Sequence, residues 1–177
     1  MFYLIHFMKS IPLLIIILFC LTNCNQKAIP QQNETTTYFF IRHAEKDLSN
    51  PNDRNPNLTE EGKSRAKNWA KILSDTKIDI VYTTDYTRTR KTAEPIANSQ
   101  NLEIMTYNPK VLYSIDFQEK TKGKTTVIVG HSNTTPSFVN KIIGDDKYKP
   151  IDEKIYGKIF IVTITDNIIM DTVLNID

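Results

Sequence analysis

The chain has 177 residues, of which 40% are hydrophobic and 24% are charged, and these proportions are ordinary for a globular protein of one domain. Its formal net charge is only +2, and no stretch shows the dense Lys and Arg clustering that binding to a nucleic-acid backbone needs. The charge pattern therefore predicts that nucleic acid is not a partner.

The N-terminus is far more apolar than the rest of the chain. An apolar run extends from Ile11 to Leu21, with Lys9 just before it. This run is shorter than the roughly 20 residues that a membrane-spanning helix needs, and it has the length of the apolar part of a secretory signal. We therefore predict a signal peptide over residues 1–23. A single uncleaved anchor is the alternative.

The segment from Leu21 to Cys24 resembles a bacterial lipobox, in which the cysteine is lipidated and becomes the new N-terminus, although Asn23 departs from the usual small residue. The resemblance implies a lipid on Cys24, followed by a polar tether over residues 24–36. It also implies export and anchoring at a membrane, facing the periplasm or the cell surface. The other cysteine, Cys20, also lies in the leader, so the domain over residues 37–177 is predicted to have no disulfide and no thiolate metal site.

Segments with the patterns of strands and helices alternate along residues 37–177. Apolar or alternating runs predict strands at 38–41, 78–83, 102–107, 125–129, 158–165 and 168–173, the last two forming a hairpin around Asp166 and Asn167. Helices are predicted after Thr59 as N-cap, over 87–99 and over 136–143, with a kink or helix boundary at Pro95. This alternation predicts an α/β sandwich with a mainly parallel sheet.

Two of the three histidines directly follow predicted strands. His43 comes after the strand at 38–41, next to Arg42, and His131 comes after the strand at 125–129. Ligands of open α/β sheets bind beyond the carboxyl ends of the strands, so both imidazoles are placed at a binding site. The planar guanidinium suits a phosphate group, and a neutral imidazole can attack phosphorus and form a phosphohistidine. Taken alone, a solvated His and Arg at a strand end is the simpler interpretation.

Two further segments carry groups that suit anions. Arg88 and Lys91 share a face of the second predicted helix, whereas Arg90 points elsewhere, although a solvated basic face is an equal alternative. The segment from Gly130 to Thr135 supplies hydroxyls and backbone amides ahead of a helix N-terminus, which is a favourable place for anions. We assign Asn133 of this segment to substrate binding. Two histidines without a cysteine leave too few ligands for a metal site, so none is predicted.

Four motifs, in this order, resemble those of the histidine phosphatase superfamily. They are Arg-His-Ala-Glu at 42–45, Leu-Thr-x-x-Gly at 58–62, Arg-x-x-x-Thr-Ala at 88–93 and Gly-His at 130–131, and the first has the form found in the small phosphohistidine-phosphatase-like branch. The resemblance covers roughly residues 38–143. It implies the phosphoglycerate-mutase-like fold, a three-layer sandwich in which helices flank a mainly parallel central sheet.

The same resemblance implies a phosphatase that hydrolyses phosphomonoesters without a metal or other cofactor. His43 would be the nucleophile, and Arg42, Arg88 and His131 would surround the phosphoryl group and stabilise its charge. Water would then hydrolyse the phosphohistidine. The substrate is expected to be a small phosphorylated molecule or a phosphoprotein. The alternatives are a protein phosphohistidine phosphatase and a non-catalytic phosphate-binding lipoprotein.

No motif identifies the group that protonates the leaving oxygen. Many members of the superfamily carry an acid some way after the second arginine, where this chain has Asp116 and Glu119. We assign Asp116 to this role, and the alternative is a solvated loop carboxylate. Glu45 follows the nucleophile closely and is expected to orient the site.

Overall fold

The computed structural model describes residues 34–176, so the predicted signal peptide, Cys24 and most of the predicted tether lie outside the described residues. Within this range the strands are β1 (Thr35–Arg42), β2 (Ile80–Thr83), β3 (Ile104–Thr106), β4 (Thr125–Gly130), β5 (Lys158–Thr165) and β6 (Ile168–Asn175). The helices are α1 (Glu60–Ile72), α2 (Thr87–Ser99), α3 (Ile115–Thr121) and α4 (Thr134–Ile143). None of these helices is long and apolar enough to cross a membrane.

The six strands form one mixed sheet in the order β3-β2-β4-β1-β5-β6. The first four strands of this order are parallel to one another, whereas β5 runs antiparallel to β1 and β6 runs antiparallel to β5. The α/β prediction with a mainly parallel sheet is therefore confirmed. β1 begins at Thr35, so the strand includes two residues that the sequence analysis assigned to the tether.

Alternate side chains of β1 divide the core between the two faces of the sheet, because successive residues of a strand point to opposite sides. Phe40 packs in one buried cluster with Phe138 of α4, on the face that also carries α3. Ile41 packs in a second cluster with Trp69 of α1 and Ile96 of α2. Helices thus cover both faces, which gives the three layers.

Two helices differ from the sequence-based prediction. α2 continues through Pro95, so the helix boundary considered there does not occur. Pro inside a helix costs about 3 kcal/mol, and burial of Ala93 and Ile96 against the sheet offsets this cost. α3 was not predicted; Ser114 caps it by accepting a hydrogen bond from the backbone N–H of Phe117 at 3.2 Å. The predicted cap of α1 is confirmed, since Thr59 accepts from the N–H of Gly62.

Gly62 lets α1 approach the backbone that follows the first histidine. A Cβ at this position would lie 2.3 Å from the carbonyl oxygen of Glu45 and 3.0 Å from its nitrogen. Backbone atoms cannot rotate away, so we expect Gly62→Ala to lower the free energy of unfolding by about 1–3 kcal/mol, measured in urea. Ser64→Ala, at an exposed position of the same helix, is the control. A Gly62→Ala variant as stable as the wild type would contradict this close approach.

Candidate active site

The ends of β1 and β4 bring the two histidines together. These strands are adjacent and parallel, with Arg42 opposite Gly130. His43 and His131, which directly follow the two strands, are therefore neighbours. The backbone N–H of His43 donates to the carbonyl of Gly130 at 2.9 Å. The ring centroids of His43 and His131 are 5.3 Å apart, with their planes at 73°.

The contacts of His43 determine which of its ring nitrogens carries the hydrogen. Nδ1 lies 2.7 Å from the carbonyl oxygen of Ala44, and a carbonyl can only accept, so Nδ1–H donates and Nε2 keeps its lone pair. The side chain is buried, and burial is the main cause that lowers the pKa of His43 to about 3. The hydrogen bond to Ala44 acts in the opposite direction, and the positive charges of Arg42 and Arg88 lower the pKa further. Nε2 is therefore unprotonated at neutral pH, as a nucleophile must be.

His131 is held in the neutral form by burial and by Arg88, which lies in the first turn of α2. Nη2 of Arg88 lies 2.8 Å from Nε2 of His131, and a guanidinium only donates, so Nε2 accepts and the ring hydrogen is on Nδ1. Burial first, and then the charge of Arg88, lower the pKa of His131 to about 4. The ring of Tyr86 packs edge-on against His131 at 5.0 Å and lies 4.5 Å from the guanidinium carbon of Arg88.

These lowered pKa values predict how the protein responds to acid. An unfolded histidine binds a proton as the pH falls through about 6.5, whereas folded His43 and His131 bind theirs only near pH 3 and 4. The unfolded chain therefore binds more protons between these limits, and stability falls as the pH falls. We expect the Tm to drop from pH 7 to pH 5, and NMR signals of both rings to stay unchanged over that range. A ring that titrates near pH 6.5 would contradict the proposed protonation states.

Arg42 is buried at the end of β1 and binds the loop that precedes β5. Its Nη1 donates to the backbone carbonyls of Asp152, Glu153 and Ile155 at 3.0–3.1 Å. Its Nη2 lies 2.6 Å from the carboxylate of Glu153. The ring of Tyr156 lies 4.2 Å from the guanidinium carbon. Arg42 therefore ties the first histidine motif to a loop more than a hundred residues later in the chain.

Two buried N–H donors at this site have no protein partner within the described range 34–176. They are the Nε of Arg42 and the Nε of Arg88. Arg42 directly precedes His43, and Arg88 contacts His131, whose ring centroid is 5.3 Å from that of His43. A buried donor without a partner is costly, and a guanidinium N–H forms strong hydrogen bonds to phosphate oxygens. The arrangement is chemically suited to a phosphoryl group beside Nε2 of His43.

Comparison with known protein families agrees with this geometry. Residues 38–108 match the model of the histidine phosphatase superfamily, branch 1. This part of the chain is therefore similar to the histidine phosphatase superfamily. Phosphoserine phosphatase 1 of Hydrogenobacter thermophilus is 40% identical over 71 residues, which are 37% of this chain and 33% of that protein. The matched region thus spans about a third of the length of this relative.

Solved structures extend the likeness to most of the described residues. A mutant phosphoserine phosphatase from Entamoeba histolytica in complex with phosphoserine aligns with a TM-score of 0.63 at 15% identity, over 80% of this chain and 97% of that chain. The protein histidine phosphatase SixA complexed with tungstate gives 0.62 at 17%, over 78% and 96%. Phosphoglycerate mutase from Bacillus anthracis gives 0.62 at 13%, over 80% and 93%. At these identities, the comparisons establish the phosphoglycerate-mutase-like fold.

Arg42, His43, Arg88 and His131 thus meet at one end of the sheet, but the structure does not bring every predicted site residue to them. Asp116 lies in the first turn of α3, where it pairs with Lys120 at 3.0 Å. It lines a groove together with Tyr82, and the lining includes neither histidine and neither arginine of the site. Asn133 is exposed and caps α4, because its Oδ1 accepts from the N–H of Thr134 at 2.9 Å.

The remaining polar residues of the motifs make contacts outside the histidine pair. Glu45 pairs with Arg65 of α1 at 2.7 Å. Lys91 pairs with Glu94 on an exposed part of α2, whereas Arg90 of the same helix pairs with Asp85. Spacing along the helix correctly separates Arg90 from Arg88, but it does not show that Lys91 turns away from the site.

Three residues at the site were missed by the sequence analysis: Tyr86, Glu153 and Tyr156. The two tyrosines pack against the arginines, and Glu153 bridges Arg42 and the hydroxyl of Ser132. The hydrogen bond from Ser132 is the main cause that lowers the pKa of the Glu153 carboxyl, and Arg42 contributes. No local sequence pattern indicates that Glu153 lies at the site, because the residue it contacts, Arg42, is 111 positions earlier in the sequence.

Proposed function

We propose that this chain is a phosphatase that hydrolyses phosphomonoesters without a metal, through a phosphohistidine on His43. One observation carries the proposal: an imidazole with its lone pair free on Nε2 shares the site with two guanidinium groups, each with a buried N–H that has no partner among residues 34–176. The imidazole supplies the nucleophile, and the guanidinium groups supply positive charge where the transferred phosphoryl group becomes more negative. The match of residues 38–108 to the model of the histidine phosphatase superfamily supports the same chemistry.

The proposed reaction has two steps. Nε2 of His43 attacks phosphorus, and the bond from phosphorus to the leaving oxygen breaks, with Arg42, Arg88 and His131 around the phosphoryl oxygens. Water then attacks phosphorus, and the electron pair of the N–P bond returns to Nε2. The hydrogen bond from Nδ1 to Ala44 keeps the ring in one tautomer throughout. Asn133, which caps α4 two residues after His131, is also proposed to contact the substrate, through its amide.

The proposed substrate is a small phosphorylated molecule or a phosphoprotein. A relative named for phosphoserine, with 40% identity in the matched region, supports the first class. A second candidate function is protein phosphohistidine phosphatase. The likeness in fold to the protein histidine phosphatase SixA supports this candidate, because the alignment covers 96% of the SixA chain.

Hydrolysis of p-nitrophenyl phosphate by the full chain, in mild detergent with EDTA throughout, tests the proposal. We expect turnover by the wild type and a loss of at least about 10³-fold in His43→Ala, because removal of the nucleophile leaves only binding and charge stabilisation. No turnover by the folded wild type at acidic and neutral pH would contradict a phosphatase. A measurable affinity for inorganic phosphate would then favour the non-catalytic phosphate-binding lipoprotein.

We further propose that the protein is exported and held at a membrane by a lipid on Cys24. The apolar leader and the likeness of residues 21–24 to a lipobox support this. Incorporation of a labelled fatty acid in bacterial cells tests it: we expect label in the wild type and in Cys20→Ser, and none in Cys24→Ser. Equal labelling of the two serine variants would contradict the assignment of Cys24.

A further inference from the structure

A carboxylate that the sequence motifs do not include lies at the site. Glu153 belongs to the loop between α4 and β5, and its side chain is 64% exposed, so its carboxylate is open to solvent. One carboxylate oxygen accepts a hydrogen bond from the hydroxyl of Ser132, and the other lies 2.6 Å from Nη2 of Arg42. Its charge also acts on Arg88 and on His131. Glu153 is therefore placed among the groups proposed to surround the phosphoryl group.

We propose that Glu153 is the catalytic acid that protonates the leaving oxygen of the substrate. This assignment rests on the proposed phosphatase function. A phosphoryl group bound to Arg42 lies next to the carboxylate that shares this arginine, and the leaving oxygen is attached to the same phosphorus. The contact between Arg42 and Glu153 would therefore hold the acid near that oxygen. A group that donates a proton in catalysis must be within hydrogen-bonding reach of the atom that receives it.

The charge of the substrate provides the means to protonate Glu153. In the free protein the carboxyl is ionised, because Ser132 and Arg42 lower its pKa. A bound phosphate group draws the charge of Arg42 to itself and places a negative charge beside the carboxylate. Both changes raise the pKa of the carboxyl, so substrate binding favours uptake of a proton from solvent. The acid is thus formed when the substrate is present.

The proton is conserved over the two steps. In the first, the Nε2–P bond forms, the P–O bond breaks, and the leaving oxygen takes the proton of Glu153, which becomes a carboxylate. In the second, the carboxylate removes a proton from the attacking water, the new P–O bond forms, and the N–P bond electrons return to Nε2 of His43. Glu153 is then protonated again. When inorganic phosphate leaves, its negative charge leaves with it, and Glu153 releases the proton to solvent.

Asp116 is the competing assignment for this acid. Its carboxylate pairs with Lys120 on the outer side of α3, and its groove includes none of the histidines and arginines of the site. Glu153, in contrast, contacts one of these arginines directly. A different role for Glu153 is also testable: it could only hold Arg42 in place, as a positioning residue.

The dependence of the rate on the leaving group separates these roles. The full chain in mild detergent, with Glu153→Gln and Asp116→Asn, is assayed on p-nitrophenyl phosphate and on phosphoserine as the alkyl phosphate. Nitrophenolate leaves without a proton, whereas the alkoxide of an alkyl phosphate does not. The ratio kcat/KM reports only steps up to the departure of the leaving group. We expect Glu153→Gln to lower kcat/KM for phosphoserine by about 10²-fold or more, and for the aryl ester by less than about tenfold.

Each other outcome has a definite meaning. An equal loss on both substrates in Glu153→Gln would overturn the acid assignment and show a positioning role. A loss confined to the alkyl phosphate in Asp116→Asn, and absent in Glu153→Gln, would assign the acid to Asp116. Activity on the aryl ester also shows that each variant is folded. If the wild type itself fails to hydrolyse the aryl ester, the proposed function fails, and the role of Glu153 fails with it.

Discussion

Arg88→Ala is expected to lower kcat/KM for p-nitrophenyl phosphate by about 10²–10³-fold, the cost of removing one donor that stabilises the transferred group. Its side chain donates to His131 and has a second N–H that is buried without a partner among the described residues. Steady-state kinetics on the full chain measure the loss. The pKa of His131 should rise in this variant, because the charge of Arg88 is one of the causes that lower it.

Arg90 offers a matched control for this prediction. It lies two positions further along α2, pairs with Asp85 at 3.0 Å and has a side chain that is 42% exposed. Exposed ion pairs contribute about 0–1 kcal/mol, so Arg90→Ala should lower the free energy of unfolding by no more than about 1 kcal/mol. It should change kcat/KM by no more than about fivefold. Equal losses of kcat/KM in Arg88→Ala and Arg90→Ala would contradict this prediction. They would mean that activity depends on the general positive charge of this region and not on a specific contact of Arg88.

Arg42→Met is expected to lower both the activity and the stability. The substitution keeps an apolar stem but removes the donor for three backbone carbonyls, including those of Asp152 and Ile155. Hydrogen bonds from a charged donor are worth about 1.5–3 kcal/mol each, so we expect the free energy of unfolding in urea to fall by about 3 kcal/mol or more. Loss of this guanidinium should also lower kcat/KM by at least about 10²-fold.

The stability part of this prediction has its own control. Arg90→Met makes the same chemical change at an exposed position and should stay within about 1 kcal/mol of the wild type. An Arg42→Met variant that unfolds at the same urea concentration as Arg90→Met would contradict the anchoring of the loop before β5.

The sequence predicts most of the fold because strong local signals coincide with elements of the structure. Residues 38–41 of β1 and 127–129 of β4 are short, largely buried apolar runs, and helical patterns separate them along the chain. α3 gives no comparable signal: it has seven residues, of which Phe117 and Thr121 are buried, too few to show a helical period. Pro95 was misread as a possible boundary because its cost is local, whereas the packing that offsets it is tertiary.

The site is predictable only where its residues follow strands or lie in motifs. His43 and His131 each follow a strand, and the pairing of β1 with β4 makes them neighbours. Glu153 reaches the site through a tertiary contact with Arg42, and loops of this kind carry no periodic pattern. Asp116 was assigned by analogy of position along the chain, and the side chain lies in a groove without the histidines. The assignment of Asp116 as the acid stays a prediction, which the leaving-group experiment tests against Glu153.

Detection of a phosphoryl group on His43 is the most direct test of the proposed phosphohistidine mechanism. The full chain is mixed with p-nitrophenyl phosphate, quenched in alkali within the first turnovers, digested, and analysed by mass spectrometry, beside His43→Asn. Phosphohistidine survives alkali, and we expect one phosphoryl group on the peptide that contains His43, with none on this peptide in the variant. Rapid turnover with the phosphoryl group on another residue, or an active His43→Asn variant, would contradict the account.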